Sequence, residues 1–395
     1  MKPFFDIHCH LMTLDEPDFV SFLKQVGENI SKEAFHSILS PDYLFDISNK
    51  HMPSKLANLI NVMSHSQQEI VELMDADLLG KYQPAGSEAF IKGETFHFAN
   101  QEFDKYVICP MVMDFTSKSS LEDLYYKSRS SKDTFMYADT MLASIRSFYH
   151  ANKESVLEIL PFAGINAPAY TLDQVDLWLN TYFNRYKPSE HYQNKRRPRF
   201  FGIKLYPPLG FDPIPEDPEE RKKVELIYAF AEDNKIPITT HCDDGGYRTT
   251  DVETSHKNTS PESWSKVLEK HPRLKLNFAH FGRQYQRTHF MRKQDKWRND
   301  IIDLIIKYEH VYTDISFNGV SSDYYEALLE KLESLEPDQR QKLNKHIMFG
   351  SDFMINLSKV ESYYKYLKIF EDSPLTLDDK LAYASANCRD FLFEK

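Results

Sequence analysis

The chain has 395 residues, with 41% hydrophobic and 27% charged residues, a globular rather than disordered composition. Its 48 Lys and Arg against 59 Asp and Glu leave a formal net charge of −11; a surface that acidic repels phosphate backbones and anionic membranes, which argues against a general nucleic-acid binder. Four scattered cysteines (Cys9, Cys109, Cys242, Cys388), no signal-peptide pattern over Met1–His10 and no apolar run near the ~18 residues of a membrane span predict a soluble, cytoplasmic protein with reduced thiols.

Eight short, apolar, β-rich runs recur along the chain: Phe4–His10, Tyr106–Phe115, Val156–Ile165, Phe200–Pro207, Ile236–Cys242, Leu274–Phe281, Val311–Phe317 and His346–Phe353. Helical spacing fills the stretches between them. After the first run comes a long gap, residues 11–105, in which Leu56, Leu59, Ile60, Met63, Ile70, Leu73 and Met74 trace one amphipathic helix. Further on, Asp217-Pro218-Glu219-Glu220 and Ser260-Pro261-Glu262 carry N-cap and N1-proline signals. Ser358 and Thr376 are expected to open the last two helices. Strands alternating with helices predict a parallel sheet, and eight strands are the number that closes a (β/α)₈ TIM barrel. An open doubly wound sheet is the runner-up, but no glycine-rich phosphate turn follows any strand. The expectation is one barrel domain over 1–395, with 11–105 inserted on its C-terminal face as a helical lid or pocket wall.

The chemistry-bearing residues sit where the apolar runs end. In Asp6-Ile7-His8-Cys9-His10, two-residue alternation puts His8 and His10 on one face with Asp6 beneath them. The fifth run ends in His241, the sixth in His280 and the eighth in Asp352. One strand-end histidine is usually structural. Four strands delivering imidazoles and a carboxylate to one rim point to a divalent-metal site. Lys204 and Tyr206 alternate with Ile203 and Leu205 and so face the barrel interior, where an ammonium needs an anionic partner or modification. Arg283 follows the sixth strand closely enough to clamp a substrate carboxylate. Asp243 and Asp244 with Gly245-Gly246 read as a solvated turn, and the basic run Lys195-Arg196-Arg197-Pro198-Arg199 as a surface feature. There is no His-Glu-x-x-His, Gly-x-Ser-x-Gly or Walker loop.

These motifs resemble the metal-dependent amidohydrolase superfamily, and most closely the amidohydrolase-2 branch that includes aminocarboxymuconate-semialdehyde decarboxylase. The resemblance rests on Asp-x-His-x-His at 6–10, His241, Phe-Ala-His-Phe-Gly around His280, Phe-Gly-Ser-Asp-Phe around Asp352 and the closing Asn387-x-Arg389 segment. It implies that His8, His10, His241 and Asp352 hold one metal ion, with Asp352 and the unligated His280 catalytic. Three imidazoles and a carboxylate suit Zn²⁺ and tolerate Mn²⁺, Fe²⁺ or Co²⁺. In other branches a lysine on the fourth strand is carboxylated and bridges two ions, so Lys204 stands open between ammonium and carbamate. The expected function is hydrolysis of a C–N or C–O bond in a small, carboxylated substrate. The alternatives are decarboxylation or hydration of an aromatic or enol acid and, less favoured, a non-catalytic metabolite- or metal-binding barrel. A homo-oligomer is compatible with the sequence and unspecified by it.

Overall fold

The computed structural model describes residues 2–15, 54–116, 132–183, 199–284 and 296–393. The basic run at 195–198 and much of the insertion's first half lie outside them.

Strand β1 (Pro3–Cys9) opens the fold. The described part of the insertion holds helices α1 (Ser54–Met63) and α2 (Gln67–Leu78), then an antiparallel meander of β2 (Ile91–Lys92), β3 (Thr95–Phe98) and β4 (Gln101–Phe103). The single amphipathic helix expected here is two helices. Ser66 starts the second with a capping box, its hydroxyl accepting from Glu69 N while Glu69 accepts from Ser66 N at 2.8 Å. The meander is a further departure from a purely helical insertion. Its β3–β4 turn puts Ala99 and Asn100 at φ 48° and 59°, the left-handed pair that a tight two-residue hairpin uses. It delivers Phe96, Phe98 and Phe103 to the Phe4 ring of β1, with centroids 4.9, 4.9 and 5.4 Å away. Helix α1 is tied to the chain beyond Asp352, because Lys55 Nζ and Asn58 Nδ2 each donate to carbonyls there, those of Lys359 and Glu361, at 2.6 Å.

All eight predicted runs form parallel strands. Strand β1 pairs with β5 (Lys105–Pro110), and β5 pairs with β6 (Leu157–Ile159). A second sheet runs in sequence order through β7 (Phe162–Gly164), β8 (Gly202–Leu205), β9 (Ile238–Thr240), β10 (Leu276–Phe278), β11 (Val311–Asp314) and β12 (Ile347–Met348). β6 and β7 are halves of one predicted run, parted at Pro161, which has no N–H for the ladder. Single parallel bridges, Met111 to Phe162 and Cys9 to Phe353, link the edges of the two sheets. Ile7 N donates to Phe349 O at 3.0 Å and Val112 N to Phe162 O at 2.9 Å beside these bridges. The result is a TIM-barrel-like α/β fold.

Helices α3 (Thr134–Ala151), α4 (Leu172–Tyr182), α5 (Pro218–Asn234), α6 (Val252–Thr259), α7 (Pro261–Lys270), α8 (Lys296–Lys307), α9 (Ser322–Glu333) and α10 (Pro337–Asn344) follow the strands. Trp178, Trp264 and Trp297 are buried on the inner sides of α4, α7 and α8. Asp217 and Ser260 cap α5 and α7 as their sequences predict. Helix α11 (Tyr363–Glu371) starts later than expected, capped by Ser362 rather than Ser358, because Ile355–Ser358 forms a separate 3₁₀ turn. Thr376 caps α12 (Leu377–Leu381), which runs through a π-helical turn into α13 (Asn387–Phe393). The four cysteines are free and buried, and no described helix is long and apolar enough to cross a membrane.

Candidate metal centre

The strands are shorter than the apolar runs, and the site residues occupy the turns where they stop. His280 follows β10 at φ 61°, and Asp352 follows β12 at φ 57°. A left-handed backbone at a non-glycine residue costs about 1–3 kcal/mol and is kept only where surrounding contacts demand it. Here it bends the chain so that both side chains turn into the site. Strand β1 bends differently: its register with β5 shifts between Asp6 and Cys9. A bulge of this kind breaks two-residue alternation. Asp6 therefore does not simply stack beneath His8; its Oδ1 accepts the His8 backbone N–H at 3.2 Å, while its Oδ2 takes the Tyr363 hydroxyl at 2.7 Å.

His8 is fully buried. Its Nδ1 lies 3.1 Å from Asp314 Oδ2 and 3.0 Å from Ser316 Oγ. Burial, then the Lys204 charge, push its pKa down to about 3, so the ring is neutral and its Nδ1 proton goes to Asp314. His10 spends its Nδ1 on the Met111 carbonyl at 3.0 Å. Both rings thus present Nε2 lone pairs forward, 3.6 and 3.2 Å from Asp352 Oδ1. Burial would raise the Asp352 pKa, but its contact with His10 and the surrounding imidazoles of His280 and His8 outweigh it and keep the group a carboxylate. Ligand atoms of His8, His10 and Asp352 all lie within 4.8 Å of one another. Three electron-rich atoms so close, with their ring protons committed elsewhere, are a fit for a cation.

His241 stands beside this trio rather than in it. Its ring is 4.4 Å from the Tyr206 ring and 4.9 Å from that of His280. Burial holds it neutral, and its Nε2 is buried with no hydrogen-bond partner among the described residues. Gly246, at φ 79°, is what permits the chain to pass here: a Cβ on it would sit 3.5 Å from that Nε2 and 3.0 Å from Tyr206 Oη. An orphaned imidazole nitrogen beside a glycine cradle is a second observation that fits a metal.

The structure also gathers His8, His280 and Asp314 into an adjoining group within 4.8 Å. Asp314, not singled out from sequence, is the hub. Its Oδ1 accepts His280 N and Ser316 N at 3.1 Å each, and its Oδ2 accepts Asn277 Nδ2 at 2.7 Å. Burial would raise its pKa, yet His8 and these bonds hold it far below the usual carboxylate range. Ser316 bonds His280 Nδ1 through its hydroxyl at 2.9 Å and its carbonyl at 3.2 Å. The ring's Nδ1 proton is thereby used, and Nε2 is left as the acceptor. Asp314 lies inside the seventh run and ends strand β11; its only signal in the sequence was an acidic residue interrupting an apolar run.

Lys204 is buried, with Nζ 3.3 Å from His8 Nε2, and burial lowers its pKa to about 8 against the opposing pull of Asp314 and Asp352. Tyr206 is half-buried, and desolvation pushes its hydroxyl well above the usual range, so it stays a phenol. Arg283 bridges to Asp243 through the backbone, and its guanidinium lies 5.0 Å from the Phe317 ring centre. Asp243 is no solvated turn residue as expected: it is buried, which lifts its pKa to about 6.

The amidohydrolase family model (Amidohydro_2) matches residues 191–393, and the chain belongs to that family. The matched segment contains Lys204, His241, His280 and Asp352; the fold brings His8 and His10 to it from outside. It is an enzyme family, and the chain is accordingly an amidohydrolase-superfamily enzyme. Among solved structures the chain is similar to 5-carboxyvanillate decarboxylase from Novosphingobium aromaticivorans with bound manganese, at 9% identity and TM-score 0.48 over 99% of this chain and 97% of that one. It is similar to 4-oxalomesaconate hydratase from Rhodopseudomonas palustris at 14% identity and TM-score 0.46, over 98% and 95% of the two chains. A probable 2-pyrone-4,6-dicarboxylic acid hydrolase from Acinetobacter baumannii gives 11% identity and TM-score 0.46, over 98% of each. No curated protein matches the chain significantly.

Proposed function

We propose that this chain is a metal-dependent hydrolase that cleaves a C–N or C–O bond in a small, carboxylated molecule, with one divalent ion held by His8, His10, Asp352 and, beside them, His241. The observation that carries the reading is the convergence of two Nε2 lone pairs and the Asp352 carboxylate within 4.8 Å, each ring anchored from behind. The donor set suits Zn²⁺ first, then Mn²⁺, Fe²⁺ or Co²⁺. Bound there, such an ion supplies Lewis acidity and brings the pKa of water from ~15.7 towards ~7. Asp352, kept ionised, takes a proton from the attacking water. His280, with Nδ1 committed to Ser316, offers Nε2 to hold that proton or pass it to the leaving group. Lys204 and Arg283 offer positive charge to a substrate carboxylate, Tyr206 a phenol, and α1 a wall of the pocket.

A carboxy-lyase or hydratase acting on an aromatic or enol acid is the second reading. It is favoured by Lys204 standing 3.3 Å from His8 Nε2 as a cation, an arrangement suited to one ion rather than a carbamate-bridged pair. The test is metal content per chain in protein purified without chelators and with bicarbonate present, followed by amide, lactone and carboxylic-acid panels. One ion with hydrolysis supports the first reading, and one ion with CO₂ release the second. Two ions with a carbamate on Lys204 would overturn the single-ion centre, and no metal would sink both.

A further inference from the structure

Asp6 belongs to no group of ligand atoms, yet its carboxylate is fully buried and takes four bonds from two directions. Oδ1 accepts the backbone N–H of His8 at 3.2 Å and that of Ser351 at 2.9 Å. Oδ2 accepts Ser351 Oγ at 2.5 Å and Tyr363 Oη at 2.7 Å. Ser351 Oγ in turn accepts Phe353 N at 2.9 Å, so one hydroxyl spans both sides of Asp352. Asp6 thus grips the bulge of β1 at His8 and the end of β12 at the residue before Asp352. Alongside it, Ser351 N and Asp352 N reach the His8 carbonyl at 3.1 and 2.7 Å. Those backbone bonds fix the strands' approach, and the left-handed turn at Asp352 has its side-chain support from the Asp6–Ser351 pair and from Asn356 Nδ2, which donates to Ser351 O at 3.0 Å.

We propose that Asp6 is a positioning residue that sets the spacing of His8 and Asp352 by binding the backbone on which each is mounted, with Ser351 as its relay. The inference rests on the metal-centre reading above. Its chemistry separates two substitutions. Asp6→Ala removes the acceptor of the His8 N–H and of the Ser351 hydroxyl and leaves Ser351 N only the His8 carbonyl and Tyr363 Oη only Tyr106 Oη, a loss that lets both mounts relax. Asp6→Asn keeps an acceptor oxygen for the two N–H groups and turns its amide towards hydroxyl oxygens that can accept.

The experiment measures Co²⁺ affinity and the visible Co²⁺ absorption bands of the full chain, parent against Asp6→Ala, Asp6→Asn and Ser351→Ala, with melting of the metal-free proteins alongside. Outer supports of metal ligands are worth about 10–100-fold in affinity. We expect that loss and displaced bands for Asp6→Ala, a smaller loss of the same kind for Ser351→Ala, and affinity within about threefold of the parent for Asp6→Asn. Should Asp6→Ala not fold, Ser351→Ala against Asp6→Asn decides the matter. Parent-like affinity and bands in Asp6→Ala, or in Ser351→Ala where Asp6→Ala does not fold, would overturn the inference, as would equal losses in Asp6→Ala and Asp6→Asn. A parent that binds no Co²⁺ would instead overturn the metal-centre reading.

Discussion

His8 Nδ1 and Asp314 Oδ2 lie 3.1 Å apart, although 306 positions separate them in sequence. The bond fixes which nitrogen of His8 carries its proton and therefore which one faces the site. Removing the carboxylate as Asp314→Ala frees the ring to take the other tautomer and strips acceptors from His280 N and Ser316 N. Metal affinity is expected to fall about 10–100-fold. Equilibrium dialysis against a competing chelator measures it, and an unchanged dissociation constant would remove Asp314 from this role.

In the proposed function His280 moves a proton and does not hold the ion. His280→Gln should therefore leave metal content at the parent level while lowering kcat by about 10²–10⁴-fold, the usual worth of a positioned acid–base group. Elemental analysis and steady-state kinetics on the same preparation check both halves. Loss of metal in this variant would make His280 a ligand.

Gly246 tests the position of His241. In Gly246→Ala the new Cβ meets Tyr206 Oη at 3.0 Å and His241 Nε2 at 3.5 Å, on a backbone at φ 79°. Strain of about 1–3 kcal/mol should lower the melting temperature of the metal-free protein. If His241 completes the ligand set, metal affinity falls further than that strain alone predicts. Affinity equal to the parent's would restrict the centre to His8, His10 and Asp352.

Lys204 gives the protein a pH signature. Its folded pKa of about 8 lies below the ordinary 10.5, so between those values the unfolded chain holds a proton that the folded chain has lost. Stability therefore rises with pH across that window, and below about pH 8 the cost of burying the ammonium stands in full. At ~1.4 kcal/mol per pH unit that cost is on the order of 3 kcal/mol. Chelator-treated Lys204→Met should be more stable than the parent at pH 7, with the gain shrinking as pH approaches 10.5. Denaturant melts at pH 7 and pH 10 decide it; a gain that does not change with pH would contradict a buried ammonium.

The sequence disclosed the strands because each is an apolar run with a polar residue at its end, and that rule found His241, His280 and Asp352. It also found the caps at Asp217 and Ser260, whose signals are local. The bulge in β1 was hidden, since Asp6, His8 and His10 read as perfect alternation and only pairing with β5 reveals the slipped register. The left-handed turns at His280 and Asp352 were hidden as well, because neither residue is a glycine that would advertise one. Asp314 and Ser316 look like ordinary strand-end polar residues until the fold brings His8 to them. The meander escaped because its strands run only two to four residues, too short to show a period.

The pairing of β1 with the end of β12 places a delay on biosynthesis. Asp6 and Ser351 are 345 positions apart, so a ribosome adding ~5–20 residues per second needs roughly 20 to 70 seconds to supply the partner after the first strand emerges. Until β5 is made both edges of β1 are open, and from then until β12 appears one edge stays open and the Asp352 carboxylate is missing from beside His8 and His10. A chain interrupted anywhere before residue 352 is therefore left with an unfinished cluster and an unpaired strand edge.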